Sequence, residues 1–168
     1  MNAEKIISNV ISGSDLSEDE TFQIINAIFE GKISEEKIIS FLQALSEKGE
    51  SVEEIVGAVK SMRKHSIKVN TNLKDLVDCC GTGGLGKNIM NISTCSAFVA
   101  AAGGVKIAKH GNRTSTGVSG SADILEEAGV NISIDSEQVS KCLESVGIGF
   151  MFAQNHHPGM KYVMPARA

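Results

Sequence analysis

The stretch from Val77 to Arg113 restricts the possible folds more than any other part of the chain. An apolar run, Leu76-Val77-Asp78-Cys79-Cys80, leads into a glycine turn, Gly81-Thr82-Gly83-Gly84. A polar helix start follows, Asn91-Ile92-Ser93-Thr94, and then a second apolar run that ends in Lys109-His110-Gly111-Asn112-Arg113. Glycines let backbone N–H groups approach an anion with no Cβ in the way, and the next helix offers unpaired N–H groups and the positive end of its dipole. The small hydroxyl and amide side chains at that start can cap the helix or hold phosphate oxygens. The second strand brings a lysine and an arginine to the same edge, so two loops converge on one multiply charged ligand.

From Leu73 onward strand and helix patterns alternate. Strands are predicted at 76–80, 105–108, 130–134 and 148–152. Helices are predicted from Asn91, from Ser121 through Glu127, and from a cap at Asp135 or Ser136. This order predicts an α/β domain over residues 73–168 with parallel strands and right-handed crossovers. Ligands of such sheets bind at the carboxyl ends of strands, where the glycine loop, the lysine loop and the loop 153–161 with His156 and His157 would meet. A parallel sheet of about four strands leaves an open edge, so the chain is expected to be the first part of a longer protein.

Residues 1–66 read instead as a small helical domain of four short amphipathic helices. Ile6, Ile7, Val10 and Ile11 share one face. Ser17 with Glu20 three residues later makes a capping box ahead of Phe22, Ile25, Ile28 and Phe29, and Gly31 stops that helix. A third helix begins at Ser34 and carries Ile38, Ile39, Phe41, Leu42 and Leu45 before Gly49. The fourth begins at Ser51, has Glu54 at its third position and carries Ile55, Val56, Val59 and Met62. A unit this small is short of core, and leftover apolar faces are candidates for a homodimer contact through these helices. The helical period is lost between Ile67 and Asn72, which marks the crossing into the α/β part.

With 168 residues and a formal net charge of −4, the chain has no general attraction for nucleic acid or anionic membrane. Phosphate binding must then come from a local arrangement and a small ligand. No apolar run is long enough to span a bilayer and the N-terminus lacks a signal-peptide core, so a cytoplasmic protein is expected. Cys79, Cys80, Cys95 and Cys142 have no metal-like spacing and are expected to be reduced packing residues. His110 and His157 lack a third ligand at metal spacing and read as loop histidines that bond a substrate or buttress the loop, and His65 reads as a helix-end dipole partner. The glycine run matches neither the Walker loop nor the dinucleotide fingerprint. Asn91, Ser93 and Thr94 taken alone read equally well as helix caps.

Taken together, Gly81-Thr82-Gly83-Gly84, Asn91-Ile92-Ser93-Thr94, Lys109-His110-Gly111-Asn112-Arg113, Gly120-Ser121-Ala122-Asp123 and His157-Pro158-Gly159-Met160-Lys161 resemble, in order and spacing, the anthranilate phosphoribosyltransferase family. The resemblance runs from the first helix onward and accounts for roughly the first half of that family's length. It implies a fold of the nucleoside phosphorylase and anthranilate phosphoribosyltransferase type. The implied activity is transfer of the phosphoribosyl group from phosphoribosyl pyrophosphate (PRPP) to anthranilate in tryptophan biosynthesis, with Mg2+. On the PRPP side it implies Gly81, Gly84, Leu85, Ile89, Asn91, Ile92, Ser93, Thr94, Lys109, His110, Gly111, Asn112, Arg113, Thr116, Gly117 and Ser121. Gly81, Asn112 and Arg167 would line the anthranilate side, Arg167 facing the carboxylate, and Ser93 would touch the magnesium ion. No acid or base is implied.

The chain departs from the family pattern at Leu85, where the family has Asp, at Ile89, where it has a hydroxyl, and at Gly117, where it has a second serine. Each departure removes a polar contact. The family's acidic magnesium pair belongs to the half beyond this chain. Two other readings stand beside the transferase: a pyrimidine nucleoside phosphorylase-like enzyme, and a catalytically silent relative that binds a phosphorylated ligand or a nucleic acid.

Overall fold

A computed structural model describes residues 3–81, 90–114 and 119–167, with Arg167 described by its backbone alone. Gly84, Leu85, Ile89, Thr116 and Gly117 lie outside the described residues. The chain divides into two compact units, one of residues 1–66 with 157–168 and one of residues 67–156.

The first unit is helical: α1 (Ala3–Ile11), α2 (Glu18–Phe29), α3 (Glu35–Lys48) and α4 (Val52–His65). Both expected capping boxes form, at Ser17 with Glu20 and at Ser51 with Glu54, while Ser34 makes no side-chain cap bond. Gly31 and Gly49 adopt positive φ, the conformation that lets a glycine end a helix. Ile6, Val10, Leu16, Ile24, Ile28, Ile38 and Phe41 form the core. Two 3-10 turns, Pro158–Tyr162 and Met164–Arg167, close over it with Met160, Tyr162, Val163 and Ala166. Gly159 sits where a methyl group would lie 2.7 Å from the Phe29 ring, so this approach requires glycine. His157 therefore belongs to the helical unit and not to a strand-end loop.

Helix α4 packs on α2 by an unexpected face. Its buried residues are Glu54, Gly57 and Ser61, whereas Val52, Ile55 and Val59 are exposed. The reason is close approach. A methyl on Gly57 would lie 2.9 Å from Thr21 Cβ and 3.0 Å from the Phe22 amide nitrogen, so the small face is the one that fits. Glu54 completes the choice, because its carboxylate accepts hydrogen bonds from Leu16 N at 2.9 Å, Ser51 N at 2.7 Å and Lys48 Nζ at 2.8 Å. His65 bonds Asn26 Oδ1 at 3.0 Å and stacks edge-on against Phe29, a packing role beyond that of a helix-end charge.

The second unit is α/β. It contains α5 (Ile92–Ala102), β1 (Ile107–Gly111), α6 (Ser121–Glu127), α7 (Ser136–Val146), β2 (Ile148–Phe152) and α8 (Ala153–His156). β1 and β2 pair in parallel, from Ile107 opposite Ile148 to Gly111 opposite Phe152. Asp135, one of the two expected caps, starts α7 in a capping box with Gln138. Strand β1 begins two residues later than expected and runs to Gly111.

Two expected strands form no ladder among the described residues. The run 76–80 makes a single parallel bridge, Val77 to Ile107. Beyond it side chains take the ladder positions, with His110 N donating to Asp78 Oδ1 and Lys109 Nζ to the Cys79 carbonyl. At 130–134, β1 pairs directly with β2, and Ser133 N donates to Asn131 Oδ1 in a local turn that competes with strand pairing. Ile132 nevertheless packs with Ala122, Leu125, Phe150 and Phe152 in this unit's core.

Candidate functional site

The candidate site lies in the α/β unit, where Gly81, the start of α5, the end of β1 and the start of α6 come together. Strand β1 alternates buried and half-buried residues, which puts Lys109 on an inward face at 3% exposure. Its ammonium group donates to the Cys79 carbonyl at 3.1 Å, two residues before Gly81. A buried cation normally has an anionic partner, since desolvating a charge is costly. Among the described residues Lys109 has only this neutral carbonyl, which leaves charge to offer an anionic ligand.

Helix α5 begins beside that lysine. Asn91 is its N-cap residue but makes no side-chain cap bond; its Nδ2 donates instead to the carbonyl and hydroxyl of Ser119, at 3.2 and 2.9 Å. The helix start is thereby tied to the approach to α6 rather than closed on itself. Ser93 lies against Gly81, where a methyl would meet its hydroxyl at 3.4 Å, and the Ser93 carbonyl accepts from the Cys79 thiol at 3.2 Å. Thr94 is buried and Ile92 is exposed. Ile92 N donates to the Met90 carbonyl at 2.7 Å and Thr94 N to the Asn91 carbonyl at 3.1 Å, so this helix start without a side-chain cap, the glycine and the Ser93 hydroxyl form a polar corner of the kind that can accept an anion.

The lysine loop is stitched to α6. Gly111 has no room for a side chain, because a methyl there would overlap Ser121 Oγ and lie 2.7 Å from the Phe150 ring. The Asn112 carbonyl accepts from Ala122 N at 3.2 Å and Ser121 Oγ at 3.4 Å, while Asn112 Oδ1 accepts from Arg113 N at 2.8 Å. Arg113 turns its guanidinium onto α6, pairing both nitrogens with Glu126 at 2.7 and 3.0 Å and one with Asp123 at 3.2 Å, and lies over the Phe152 ring. These acids hold it above its ordinary pKa, and the Arg113 hydrogen bonds hold the Glu126 carboxyl below its own.

Burial pushes the His110 imidazole down, so its neutral form is favoured. His156 is buried with Nδ1 within 3.0 Å of the Ile67 carbonyl, while the backbone of Arg167 lies in a 3-10 turn of the helical unit. All four cysteines are free, and Cys80 and Cys95 are exposed rather than packed. Burial and the neighbouring Asp78 raise the Cys80 thiol pKa, which disfavours its thiolate. Among the described residues no three His, Cys, Asp or Glu side chains are grouped to hold a metal ion.

Sequence reasoning missed Ser119 as the partner of Asn91 and the Cys79 carbonyl as the partner of Lys109. It also gave no part to Asp78, Asp123 or Glu126. Asp123 alone left a local signal, an acid three residues after Gly120 at a helix start.

Residues 73–168 match the glycosyl transferase family, a/b domain, and residues 4–66 match the glycosyl transferase family, helical bundle domain. An anthranilate phosphoribosyltransferase from Acetivibrio thermocellus is 50% identical over 164 residues, covering 98% of this chain and 48% of that protein. One from Teredinibacter turnerae is 46% identical over 167 residues, covering 99% of this chain and 49% of that protein. The crystal structure of anthranilate phosphoribosyltransferase from Thermus thermophilus superposes with a TM-score of 0.89 at 41% identity, over 99% of this chain and 50% of that one. The Saccharomyces cerevisiae enzyme in complex with PRPP and Mg gives 0.88 at 30% identity, over 98% of this chain and 50% of that one. The chain thus spans about half the length of the relatives it matches.

Proposed function

The chain belongs to the glycosyl transferase family of paired helical-bundle and a/b domains, and from that premise we propose that the protein transfers the phosphoribosyl group of PRPP to anthranilate, releasing pyrophosphate. The observation that carries this reading is Lys109, a buried ammonium with one carbonyl partner among the described residues, beside Gly81 and a start of α5 that has no side-chain cap. Such a corner suits a pyrophosphate.

Loss of pyrophosphate leaves positive charge on the ribose, so the protein has mainly to neutralise the leaving group and align the amine. Gly81, the α5 start with Asn91, Ser93 and Thr94, and Lys109 take the pyrophosphate side. Asn112, Ser121 and the backbone of His110–Arg113 surround the phosphoribosyl group, and Gly81 and Asn112 serve anthranilate. Placed in line, the amine attacks without a general base.

Mg2+ fits this donor set as an ion brought by the substrate, since it is commonly held by phosphates, water and one or two protein oxygens, here the Ser93 hydroxyl. It would supply charge neutralisation at the pyrophosphate. The four free cysteines suit a reducing compartment, the cytoplasm, and no helix of the described residues is long and apolar enough to cross a membrane. The test is to supply the protein with PRPP, Mg2+ and anthranilate. Equal yields of phosphoribosylanthranilate and pyrophosphate are expected, together with saturable PRPP binding by calorimetry. Absence of PRPP binding, or phosphorolysis of a pyrimidine nucleoside in its place, would overturn the reading.

The exposed stripe of Val52, Ile55 and Val59 on α4 supports a homodimer through the helical unit. Ile55→Glu is expected to shift the sedimentation coefficient from dimer to monomer with little change in stability. A single unchanged species would remove the stripe from the interface.

A further inference from the structure

Asp123 touches no part of the corner proposed to hold pyrophosphate, yet the two loops that build the site are joined through it. Its Oδ2 accepts from Gly120 N at 2.7 Å and from Thr114 N at 3.1 Å, and its Oδ1 accepts from Arg113 Nη1 at 3.2 Å. One carboxylate thus holds the chain leaving β1 and the chain entering α6. Each connection reaches a site residue. Gly120 follows Ser119, whose carbonyl and hydroxyl hold the Asn91 side chain. Thr114 and Arg113 follow Asn112, whose carbonyl is bonded by Ala122 N. Gly120 permits the contact, since a methyl there would lie 2.5 Å from both the Asn112 carbonyl oxygen and the Thr114 amide nitrogen. Glu126, one turn further along α6, adds its bidentate grip on Arg113.

We infer that Asp123 is a positioning residue that fixes Asn91 and Asn112 relative to each other, with Glu126 acting through Arg113; its consequence for PRPP rests on the proposed function. The Arg113 guanidinium then serves as a tie between the lysine loop and α6, and the cationic contact to phosphate falls to Lys109. The Gly120 N–H, with Thr114 N–H and Arg113, also keeps the Asp123 carboxyl ionised below its usual range, in keeping with a carboxylate that accepts three bonds.

The test compares isotope-labelled wild type with Asp123→Ala and the milder Asp123→Asn, by amide exchange, by the Asn91 carboxamide resonances and by PRPP titration. In Asp123→Ala the Gly120 and Thr114 amides should exchange faster by roughly tenfold or more, and the Asn91 carboxamide signals should move toward those of a free side chain. PRPP affinity should fall roughly tenfold, in keeping with a small misplacement of binding groups. Asp123→Asn should move every readout less, in the same direction, and decides the matter if the alanine variant does not fold. Unchanged Asn91 signals and PRPP titration in a folded variant overturn the assignment. If Asn91 responds as expected while wild type binds no PRPP, the positioning role stands and the substrate reading falls.

Discussion

Glu54→Ala is expected to lower the thermal midpoint of the helical unit by roughly 10–20 °C, the largest stability effect in the chain. Glu54 is 2% exposed, and removing its carboxylate strips the Leu16 and Ser51 amides of their partner and leaves Lys48 only Asp15 and the Gly49 carbonyl. Buried donors left unpaired, with loss of a buried charge pair, cost about 3 kcal/mol. The substitution also opens the contact on which α4 settles against α2. Calorimetric unfolding of the purified variant checks this, and a midpoint within 2 or 3 °C of wild type, well inside the scale of about 1 kcal/mol, would sink it.

The same group sets an acid limit. Burial pushes the Glu54 carboxyl up, but hydrogen bonds from Lys48, Ser51 N and Leu16 N outweigh burial and leave it below its ordinary value of 4.5. A carboxylate whose folded pKa is depressed stabilises fully above its unfolded pKa, and that contribution is lost as pH falls through the folded value. The Lys48 ammonium is raised above 10.5 by Asp15 and Glu54, so its share is present below that pH and lost only in strong alkali. Stability of the helical unit should therefore fall as the solution is acidified below about pH 4.5, and Glu54→Gln should flatten that dependence.

Lys109→Met should weaken PRPP binding by roughly ten- to hundredfold, the worth of a charge-assisted hydrogen bond, while leaving the melting temperature unchanged or slightly higher. The two effects have one cause. A buried ammonium with a single carbonyl partner among the described residues is costly to the folded state, and the methionine side chain has a similar shape without the charge. A residue that lowers stability and raises affinity is characteristic of a binding site. Loss of stability with unchanged PRPP titration would instead make Lys109 a structural residue bound to the Cys79 carbonyl.

Much of the architecture was legible in the sequence because its signals are local. Capping boxes at Ser17 and Ser51 join residues three apart, and Gly31 and Gly49 end helices by adopting positive φ. These interactions form within one turn and need nothing from the rest of the chain. The candidate site was legible only as residues in order, Gly81, the helix start at Asn91 and the lysine loop, because motif order survives without knowledge of the fold. Its bonding was not. The expectation for Arg113 gave no sign of Asp123 and Glu126, because the charge partners lie 10 and 13 residues away across a strand end.

By itself, then, the sequence determined the capped helix starts at Ser17, Ser51 and Asp135, the glycines that end α2 and α3, and the order of helical and α/β parts. Tertiary structure alone decided which face of α4 is buried, that 130–134 packs by Ile132 without entering the sheet, and that His157 joins the helical unit while His156 stays with the α/β unit. The physical reason is separation along the chain. Leu16 to Glu54 spans 38 residues and Asn91 to Ser119 spans 28, and such contacts depend on room for a glycine or a carboxylate at the meeting point, which no local period encodes.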